Sequence, residues 1–380
     1  MFKINITNLN DSKVCIIGAG NGGLAAAADL TLRRHEVILA ELPEFEENIS
    51  EIKERGGIHL ETLERTGLKG GFAKLYKVTT NISEAISEAK IVLIITPSFA
   101  HKKIAEECAE FLKEEHTIVL APGNLGGSIE FYNSLIDNGG NMNVNISEME
   151  CMMFACRKKD NSTIYIRGYK HNLGFSTFPS ISTDREFERV KEIYPNIVKR
   201  QNVIETGFSN INPILHVPIL ISNLSIIDNK KNVLMYHEAL TKSIEKITEH
   251  LDKERMSLNN FGEDIQLKPM SDIYKSWYYH QGARGSSFVE LAGENPIYYE
   301  SELPNTLNHR YLLEDIPYGL IPMISMLDKF EIQSKNIRSI VNTASLISEI
   351  DFYKKARTLK TLKLHKKSKE QIINYIKYRN

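Results

Sequence analysis

A histidine between two prolines is the residue of this sequence whose type and position most suggest chemistry. His216 lies in the segment NINPILHVP, residues 210–218, where a long apolar run begins. Histidine exchanges a proton near neutral pH, so His216 is a candidate catalytic acid and base. The alternative is a polar residue at a helix start, because Asn212 and Pro213 are suited to begin a helix there. Pro218 allows the helix to begin later instead, with His216 at its mouth.

A second polar cluster lies in NHRYLLEDIPYGLIP, residues 308–322. It holds Arg310 and Asp315, with Glu314 adjacent. An arginine binds a carboxylate through two parallel hydrogen bonds. An aspartate behind a histidine fixes the tautomer of the ring and stabilises its protonated form. An ion pair between Arg310 and Asp315 across a helix turn is the alternative, and their spacing does not exclude it.

A glycine-rich turn in the first half has the spacing of a dinucleotide site. In KVCIIGAGNGGLAAAADL an apolar strand, residues 14–17, runs into G-x-G-x-x-G and then into an alanine-rich helix. The glycines of this pattern allow a tight turn, a close pyrophosphate and close helix packing, and the helix N-terminus faces the phosphates. The predicted cofactor contacts are Gly18, Gly20, Asn21 and Gly23.

The next predicted strand, EVILAE, ends at Glu41. A carboxylate at this position accepts hydrogen bonds from the adenosine ribose and repels a 2′-phosphate, which favours NAD over NADP. A solvated charge at a strand end is the alternative, and the neighbouring Glu44, Glu46 and Glu47 keep it open.

Three further strands are predicted over residues 90–97, 116–123 and 149–156. Apolar strands that alternate with helices predict a parallel sheet, whose ligand lies beyond the carboxyl ends of the strands. Two later runs, STIYIRGY and NLGFSTFP, are expected to extend this sheet with antiparallel strands. Because Thr96 and Pro97 lie at the carboxyl end of one of the predicted parallel strands, they are predicted to contact the cofactor. Further candidates for the cleft are Ser98, Pro122, Gly123, Asn124 and His101, the last being equally well explained as a surface residue at a helix start.

Length and composition indicate a globular protein of two domains. The chain has 380 residues, more than one ordinary core holds, and a net charge of -1 that gives no general reason to expect nucleic acid or a membrane as partner. Its polar N-terminus does not resemble a signal peptide, and no apolar window reaches the roughly 20 residues of a membrane span. We interpret the cysteines, which form no CxxC pair, as buried thiols of a cytoplasmic protein without a metal site. They are Cys15, Cys108, Cys151 and Cys156.

Helical patterns dominate the second half. We predict a nucleotide-binding domain over residues 1–190 and a helical domain over residues 191–380, with the active site in the cleft between them. Trp277, Tyr278 and His280 are candidates for the border of the pocket, although core packing explains such aromatics equally often. The basic C-terminal stretch is expected to be a solvated helical tail, and an anionic partner or an oligomer contact is the weaker alternative.

Three segments together resemble the opine dehydrogenases, the octopine and nopaline dehydrogenase group. They are the turn GAGNGG, Asn-x-Asn-Pro-x-x-His-x-Pro at residues 210–218, and Arg-Tyr-x-x-Glu-Asp-x-Pro at residues 310–317. The likeness continues through MYHEALT and LDKER. It implies an α/β protein, a Rossmann-type domain followed by an all-helical dehydrogenase domain. It also implies an NAD(P)H-dependent enzyme that joins the amino group of an amino acid to a 2-oxo acid, commonly pyruvate, by reducing the imine between them.

The same resemblance implies roles for individual residues. His216 resembles the catalytic histidine, Asp315 its carboxylate partner, and Arg310 the residue that binds a substrate carboxylate, while Asn212 is a further candidate for substrate binding. NAD(H) is favoured over NADP(H) by Glu41, the expected partners are small-molecule substrates, and a homodimer is left open. Two alternatives remain: a simple reductase of 2-oxo acids or other carbonyls without condensation, and a non-catalytic NAD-responsive binding protein.

Overall fold

The structure is a computed structural model that describes residues 13–262 and 264–380. Residues 1–12, where the sequence predicts no signal peptide, lie outside the described residues. Among the helices of the described chain, none is long and apolar enough to cross a membrane.

Twelve strands lie within the described residues. They are β1 (Val14–Ile17), β2 (Val37–Ala40), β3 (Gly57–Thr62), β4 (Gly71–Lys74), β5 (Lys77–Thr79), β6 (Ile91–Ile94), β7 (Thr117–Leu120), β8 (Ile146–Met149), β9 (Phe154–Lys158), β10 (Thr163–Tyr169), β11 (Leu173–Phe178) and β12 (Ile197–Lys199).

Eight of these described strands form one sheet, in the order β12-β11-β8-β7-β6-β1-β2-β5. Neighbouring strands are parallel except β8 and β11, so the predicted parallel sheet and its antiparallel extension by NLGFSTFP are confirmed. Every residue of β1, β2, β6 and β7 is buried, as their unbroken apolar runs require. The sheet continues past residue 190 through β12, and the domain boundary there stays a prediction.

A second, smaller sheet lies in the order β4-β3-β10-β9. It contradicts two predictions. Residues 149–156 are not one strand, because β8 ends at Met149 and β9 begins in the second sheet at Phe154. STIYIRGY contains β10, which joins the second sheet rather than the first, because its parallel partner is β3 from far earlier in the chain.

Sixteen α-helices lie in the part of the chain that is described. Those of the first half are α1 (Asn21–Leu32), α2 (Glu47–Arg55), α3 (Ile82–Ser87), α4 (His101–Cys108), α5 (Gly127–Asp137) and α6 (Thr183–Ile193). Those of the second half are α7 (Val203–Ser209), α8 (Asn212–Ser222), α9 (Leu224–Asp228), α10 (Lys242–Met256), α11 (Met270–Tyr278), α12 (Phe288–Gly293), α13 (Arg310–Leu313), α14 (Ile321–Lys329), α15 (Lys335–Ser348) and α16 (Lys369–Tyr378). Several of the second half, such as α8, α10 and α15, pack on one another.

The basic C-terminal segment, residues 351–380, returns to the first half of the chain, and we call it the C-terminal strap. Arg357 is 1% exposed and donates hydrogen bonds to the carbonyl oxygens of Gly123 and Leu125. Its guanidinium also pairs with Glu130 of α5 at 2.7 Å, and α16 packs against the turn that follows β11. The expectation of a solvated tail is therefore wrong.

Candidate active site

His216 lies inside a helix, on one wall of a cavity of about 560 Å³. Helix α8 begins at Asn212 with Pro213 in its first turn, and the side chain of Asn210 accepts the N–H of Asn212 at 3.1 Å. Pro218 lies within this helix and does not begin a new one. His216 is 7% exposed and faces the cavity from the second turn, so it does not cap the helix.

Asp315 is the partner of His216. Its Oδ2 lies 2.8 Å from Nδ1 of His216, and both side chains are buried. Because the carboxylate accepts the Nδ1 proton, Nε2 is the ring atom left to exchange a proton. Nε2 lies 3.3 Å from the hydroxyl of Tyr236, and the ring stacks on Tyr311 with centroids 3.9 Å apart. This is the arrangement of an acid and base held in one orientation.

Two neighbours of this pair carry no charge at neutral pH. Burial raises the pKa of Tyr236 well above its usual range, so the hydroxyl keeps its proton. Burial, followed by the nearby His216, lowers the pKa of His309 to about 4. Nδ1 of His309 accepts the N–H of Tyr311 at the start of α13. Sequence reasoning gave neither Tyr236 nor His309 a role.

Arg310 pairs with Glu314, not with Asp315, so the alternative ion pair is wrong. Its Nη2 lies 2.8 Å from Oε2 of Glu314, whose charge raises the pKa of Arg310. Glu314 is itself 1% exposed, and its other oxygen accepts the N–H of Ser98 at 3.0 Å. The guanidinium is thus held at the cavity by a carboxylate that the nucleotide-binding half also anchors.

A buried chain of hydrogen bonds joins the two halves behind the cavity. The amide of Asn210 donates to Asn124, the amide of Asn124 donates to the hydroxyl of Ser98, and that hydroxyl donates to Glu314. Asn124 has a φ of 54°, a conformation that asparagine tolerates better than most residues. Ser98 and Asn124, both candidates for the cleft, therefore support it from behind.

The glycine turn after β1 fits a dinucleotide. Gly18 has a φ of 111°, and a Cβ there would lie 2.5 Å from the carbonyl oxygen of Ile95. A Cβ at Gly23 would lie 1.7 Å from the carbonyl oxygen of Gly18. Gly20 faces the cavity, and a Cβ there would meet nothing within 4 Å. The open space beside Gly20 and the first N–H groups of α1 suit a pyrophosphate.

Glu41 is buried at the end of β2, so the solvated-charge alternative is wrong. Its Oε2 accepts the N–H of Ala19 in the glycine turn at 2.8 Å, and its Oε1 accepts the N–H of Leu42 at 3.0 Å. Asn21 lines the cavity, and its Oδ1 accepts the N–H of Lys158 at 2.7 Å, which joins α1 to the second sheet.

The loops that follow β6 and β7 divide into lining and supporting residues. Thr96, Pro97 and Pro122 line the cavity. The buried Oγ1 of Thr96 has no hydrogen-bond partner within the described residues, as expected for an atom that meets a bound group. Gly123 and His101 are absent from the lining. His101 is fully buried, which lowers its pKa to about 3, so it is not a surface residue either.

The aromatic residues proposed for the pocket border do not line the cavity. Trp277 is buried and donates its indole N–H to Glu150 at 2.9 Å. The hydroxyl of Tyr278 lies 2.8 Å from that of Tyr298, and His280 stacks on another histidine outside the cavity. The aromatic side chains that do line it are Phe154, Tyr236, Tyr298 and Tyr311.

All four cysteines are free and buried, as the sequence predicts. Cys151 and Cys156 line the cavity, and the amide of Asn212 lies 3.5 Å from the sulfur of Cys151. Burial raises the pKa of Cys156 to about 11, so this thiol stays protonated at neutral pH and is a poor nucleophile.

The second sheet contributes cations that sequence reasoning missed. Arg157 and Arg167 lie on β9 and β10, Lys170 follows β10, and all three line the cavity. The sequence did contain a signal for this, because Arg167 is a charged residue within the otherwise β-like run STIYIRGY. The exposed acidic residues Glu300 and Glu302 also line the cavity.

Two family models match the chain, one to each half. Residues 13–131 match the NAD-dependent glycerol-3-phosphate dehydrogenase N-terminus. Residues 199–348 match the NAD/NADP octopine/nopaline dehydrogenase alpha-helical domain. The first match covers the glycine turn, and the second covers His216, Arg310 and Asp315.

Known proteins are similar over nearly the whole chain. The opine dehydrogenase of Arthrobacter sp. (strain 1C) is 29% identical over 349 residues, 92% of this chain and 94% of that protein. The vitopine synthase of Allorhizobium ampelinum is 26% identical, over 93% of this chain and 96% of that protein. A solved structure of octopine dehydrogenase with NADH and L-arginine has a TM-score of 0.75 at 17% identity, over 97% of this chain and 98% of the other. The predicted Rossmann-type domain followed by a helical domain is confirmed.

Proposed function

We propose that the chain belongs to the octopine and nopaline dehydrogenase family and that the residues of its cavity carry the reaction of that family. It is an NAD(P)-dependent oxidoreductase of the opine dehydrogenase type, which acts on CH–NH bonds by reductive condensation of an amino acid with a 2-oxo acid. One observation carries the assignment of residues: His216, Asp315 and Arg310 share a single cavity with Gly20 of the glycine turn.

His216 is the proton carrier in this proposal. Condensation of the amine with the oxo carbon releases water, and the resulting imine takes up one hydride at carbon and one proton at nitrogen. NAD(P)H, when bound at the glycine turn, supplies the hydride. Nε2 of His216 gives the proton, or accepts it in the reverse direction. Asp315 keeps Nε2 toward the cavity and stabilises the imidazolium, while the stacked ring of Tyr311 restricts its rotation.

Arg310 binds the carboxylate of the 2-oxo acid, for which pyruvate is the simplest candidate. Its side chain is 54% exposed, so the guanidinium has donors free for a ligand although Glu314 holds it in place. Arg310 and Asp315 lie at the two ends of one short helical stretch, which brings the anchored carbonyl carbon close to the proton carrier. The amide of Asn212 on the same wall is a further substrate contact.

We propose NAD(H) as the preferred cofactor. The carboxylate of Glu41 is fixed beside the glycine turn by two backbone N–H groups, and a fixed negative charge there opposes a 2′-phosphate. A cytoplasmic location and a homodimer stay predictions.

The first experiment measures oxidation of NADH and of NADPH by the purified protein with pyruvate, with and without a panel of amino acids. Oxidation that requires an amino acid, and that is faster with NADH, is the expected result. Oxidation by pyruvate alone would indicate a simple reductase instead. Tight NADH binding with no oxidation under any condition would indicate a binding protein.

A further inference from the structure

One buried arginine of the described chain differs from the others. Four arginines are buried within residues 13–262 and 264–380. Three of them pair with a carboxylate at 2.7 Å: Arg200 with Glu150, Arg255 with Asp252, and Arg357 with Glu130.

The fourth, Arg167, is 9% exposed and has no carboxylate within 4.0 Å in the part of the chain that is described. Its Nε has no hydrogen-bond partner there either. A guanidinium cannot lose its proton to escape this cost, because its intrinsic pKa is too high. A buried cation without a partner is expensive, so the arrangement is one that an anionic ligand completes.

Arg167 lies at an irregular point in the pairing of two strands of the second sheet. β10 pairs with β9 in regular register up to Ile166, opposite Cys156, and resumes at Gly168, opposite Ala155. Arg167 is the extra residue of this bulge and has no partner in β9, while Tyr165, two residues earlier, pairs with Arg157, which also lines the cavity. Arg167 lines the cavity from the second sheet, while Arg310 lines it from the helical half.

A second cation lies beside this position. Lys170 is 6% exposed, and its Nζ donates to the carbonyl oxygen of Met152 at 2.9 Å. The ammonium also lies 5.3 Å from the ring centroids of both Trp277 and Tyr278, and no carboxylate of the described chain pairs with it. Its position is therefore fixed while its charge is not neutralised.

We propose that Arg167 and Lys170 form a second carboxylate subsite, and that it takes the α-carboxylate of the amino substrate. This inference rests on the proposed function, because the substrates of a reductive condensation bring two carboxylates into one cavity and Arg310 accounts for one. A planar guanidinium beside an ammonium suits a carboxylate. The amino substrate is accordingly an amino acid, since a simple amine leaves Arg167 without a partner.

The test compares Arg167→Met with Lys159→Met, which removes a positive charge from the exposed side of the same sheet. Arg167→Met should raise the KM for the amino acid about 10- to 100-fold, the loss of one or two charge-assisted hydrogen bonds. The KM values for pyruvate and NADH should not change, and Lys159→Met should match the wild type. With an amine that has the side chain of the amino acid but no α-carboxylate, the KM of the wild type and the KM of Arg167→Met should be equal.

A dicarboxylic 2-oxo acid distinguishes the other source of the same chemistry. If Arg167→Met raises the KM for 2-oxoglutarate and leaves that for the amino acid unchanged, the subsite holds the second carboxylate of the oxo acid. Unchanged KM values for every substrate would overturn the proposal.

Stability without ligand separates binding from a structural role. Arg167→Met should have a Tm at least equal to that of the wild type, because it removes an unpaired buried charge, whereas Arg200→Met should lower the Tm. If Arg167→Met lowers the Tm as much as Arg200→Met does, the proposal is overturned.

Failure of the proposed function has its own signature, which is a wild type without amine-dependent oxidation. The subsite is then tested with iminodiacetate, a secondary amine with two carboxylates. This probe should raise the Tm of the wild type and not that of Arg167→Met, and equal shifts in the two proteins would contradict the subsite.

Discussion

The two walls of the cavity differ in whether their charged side chains have partners of opposite charge. On the helical wall the residues proposed for the reaction have partners: His216 contacts Asp315, and Arg310 contacts Glu314. On the wall of the second sheet the cations have no carboxylate partner within the described chain; they are Arg157, Arg167 and Lys170. A paired wall holds its geometry before any ligand arrives, which suits proton transfer. An unpaired wall reaches its lowest free energy only with an anion bound, which suits recognition.

The largest effect on activity should come from replacing His216, the proton carrier of the paired wall. His216→Asn should lower kcat by about 10²- to 10⁴-fold, because the imine nitrogen then lacks a positioned proton donor. NADH affinity should not change, since the glycine turn is untouched. Steady-state kinetics and a fluorescence titration with NADH measure the two quantities. His280→Asn, a histidine outside the cavity, is the control, and a near wild-type kcat in His216→Asn would remove the acid and base role.

The buried carboxyl of Glu148 provides a contrast with the buried Arg167. A carboxylate becomes neutral by taking up a proton, whereas a guanidinium stays charged. Glu148 is 1% exposed and accepts hydrogen bonds from the N–H of Ser128 and the hydroxyl of Thr206, and burial raises its pKa to about 7. The folded protein therefore keeps this proton over a pH range in which the unfolded chain has lost it. Stability falls as the pH rises through that window, and the loss is complete above the folded-state pKa.

Glu148→Gln should abolish this pH dependence. Between about pH 3 and about pH 8 the wild type should lose about 3 kcal/mol of unfolding free energy relative to the variant. The amide oxygen can still accept the N–H of Ser128 while the NH₂ group donates to the hydroxyl of Thr206, so any further change in stability should be independent of pH. Urea unfolding at several pH values measures both, and parallel curves for the two proteins would show that Glu148 is ionised throughout.

The other charge of the paired wall should give a smaller effect. Arg310→Lys keeps the positive charge beside Glu314 and loses the two-pronged contact with a carboxylate, so the KM for the 2-oxo acid should rise about tenfold. Initial rates over a range of pyruvate concentrations measure it. Arg338→Lys, at an exposed ion pair with Asp328, is the control. An unchanged KM would mean that the 2-oxo acid is anchored elsewhere.

The smallest effect concerns the cofactor edge, where Glu41 is paired with backbone N–H groups. Glu41→Gln removes the charge that opposes a 2′-phosphate, so the ratio of kcat/KM for NADPH to that for NADH should rise about fivefold. The exposed Glu44→Gln is the matched control. A ratio that does not move would show that another residue sets the preference.

Local motifs explain what could be predicted from the sequence. The glycine turn follows from one short stretch, and so does the position of His216 early in a helix. Arg310 and Asp315 were recognised together, but spacing alone did not show which of them pairs with which residue. That depends on Glu314, whose buried carboxylate reaches Ser98 in the other half of the chain.

Long-range pairing explains what could not be predicted. The second sheet needs β3 beside β10, strands separated by several other elements, and no local pattern specifies that contact. The place of Arg167 on the cavity wall depends on the pairing of β10 with β9, which no local pattern specifies. The unpaired wall was therefore missed although its residues were visible in the sequence.

The C-terminal strap sets an order of events during synthesis. Arg357 donates hydrogen bonds to the carbonyl oxygens of Gly123 and Leu125 in the loop after β7. These residues are synthesised more than 200 positions before Arg357. Until residues 351–380 emerge from the ribosome, the nucleotide-binding half lacks these hydrogen bonds and the contacts of Leu362 with Gly126 and of Tyr375 with Phe178. A premature stop codon in this last segment releases a protein that is unfinished in its first domain, not merely shortened at its end.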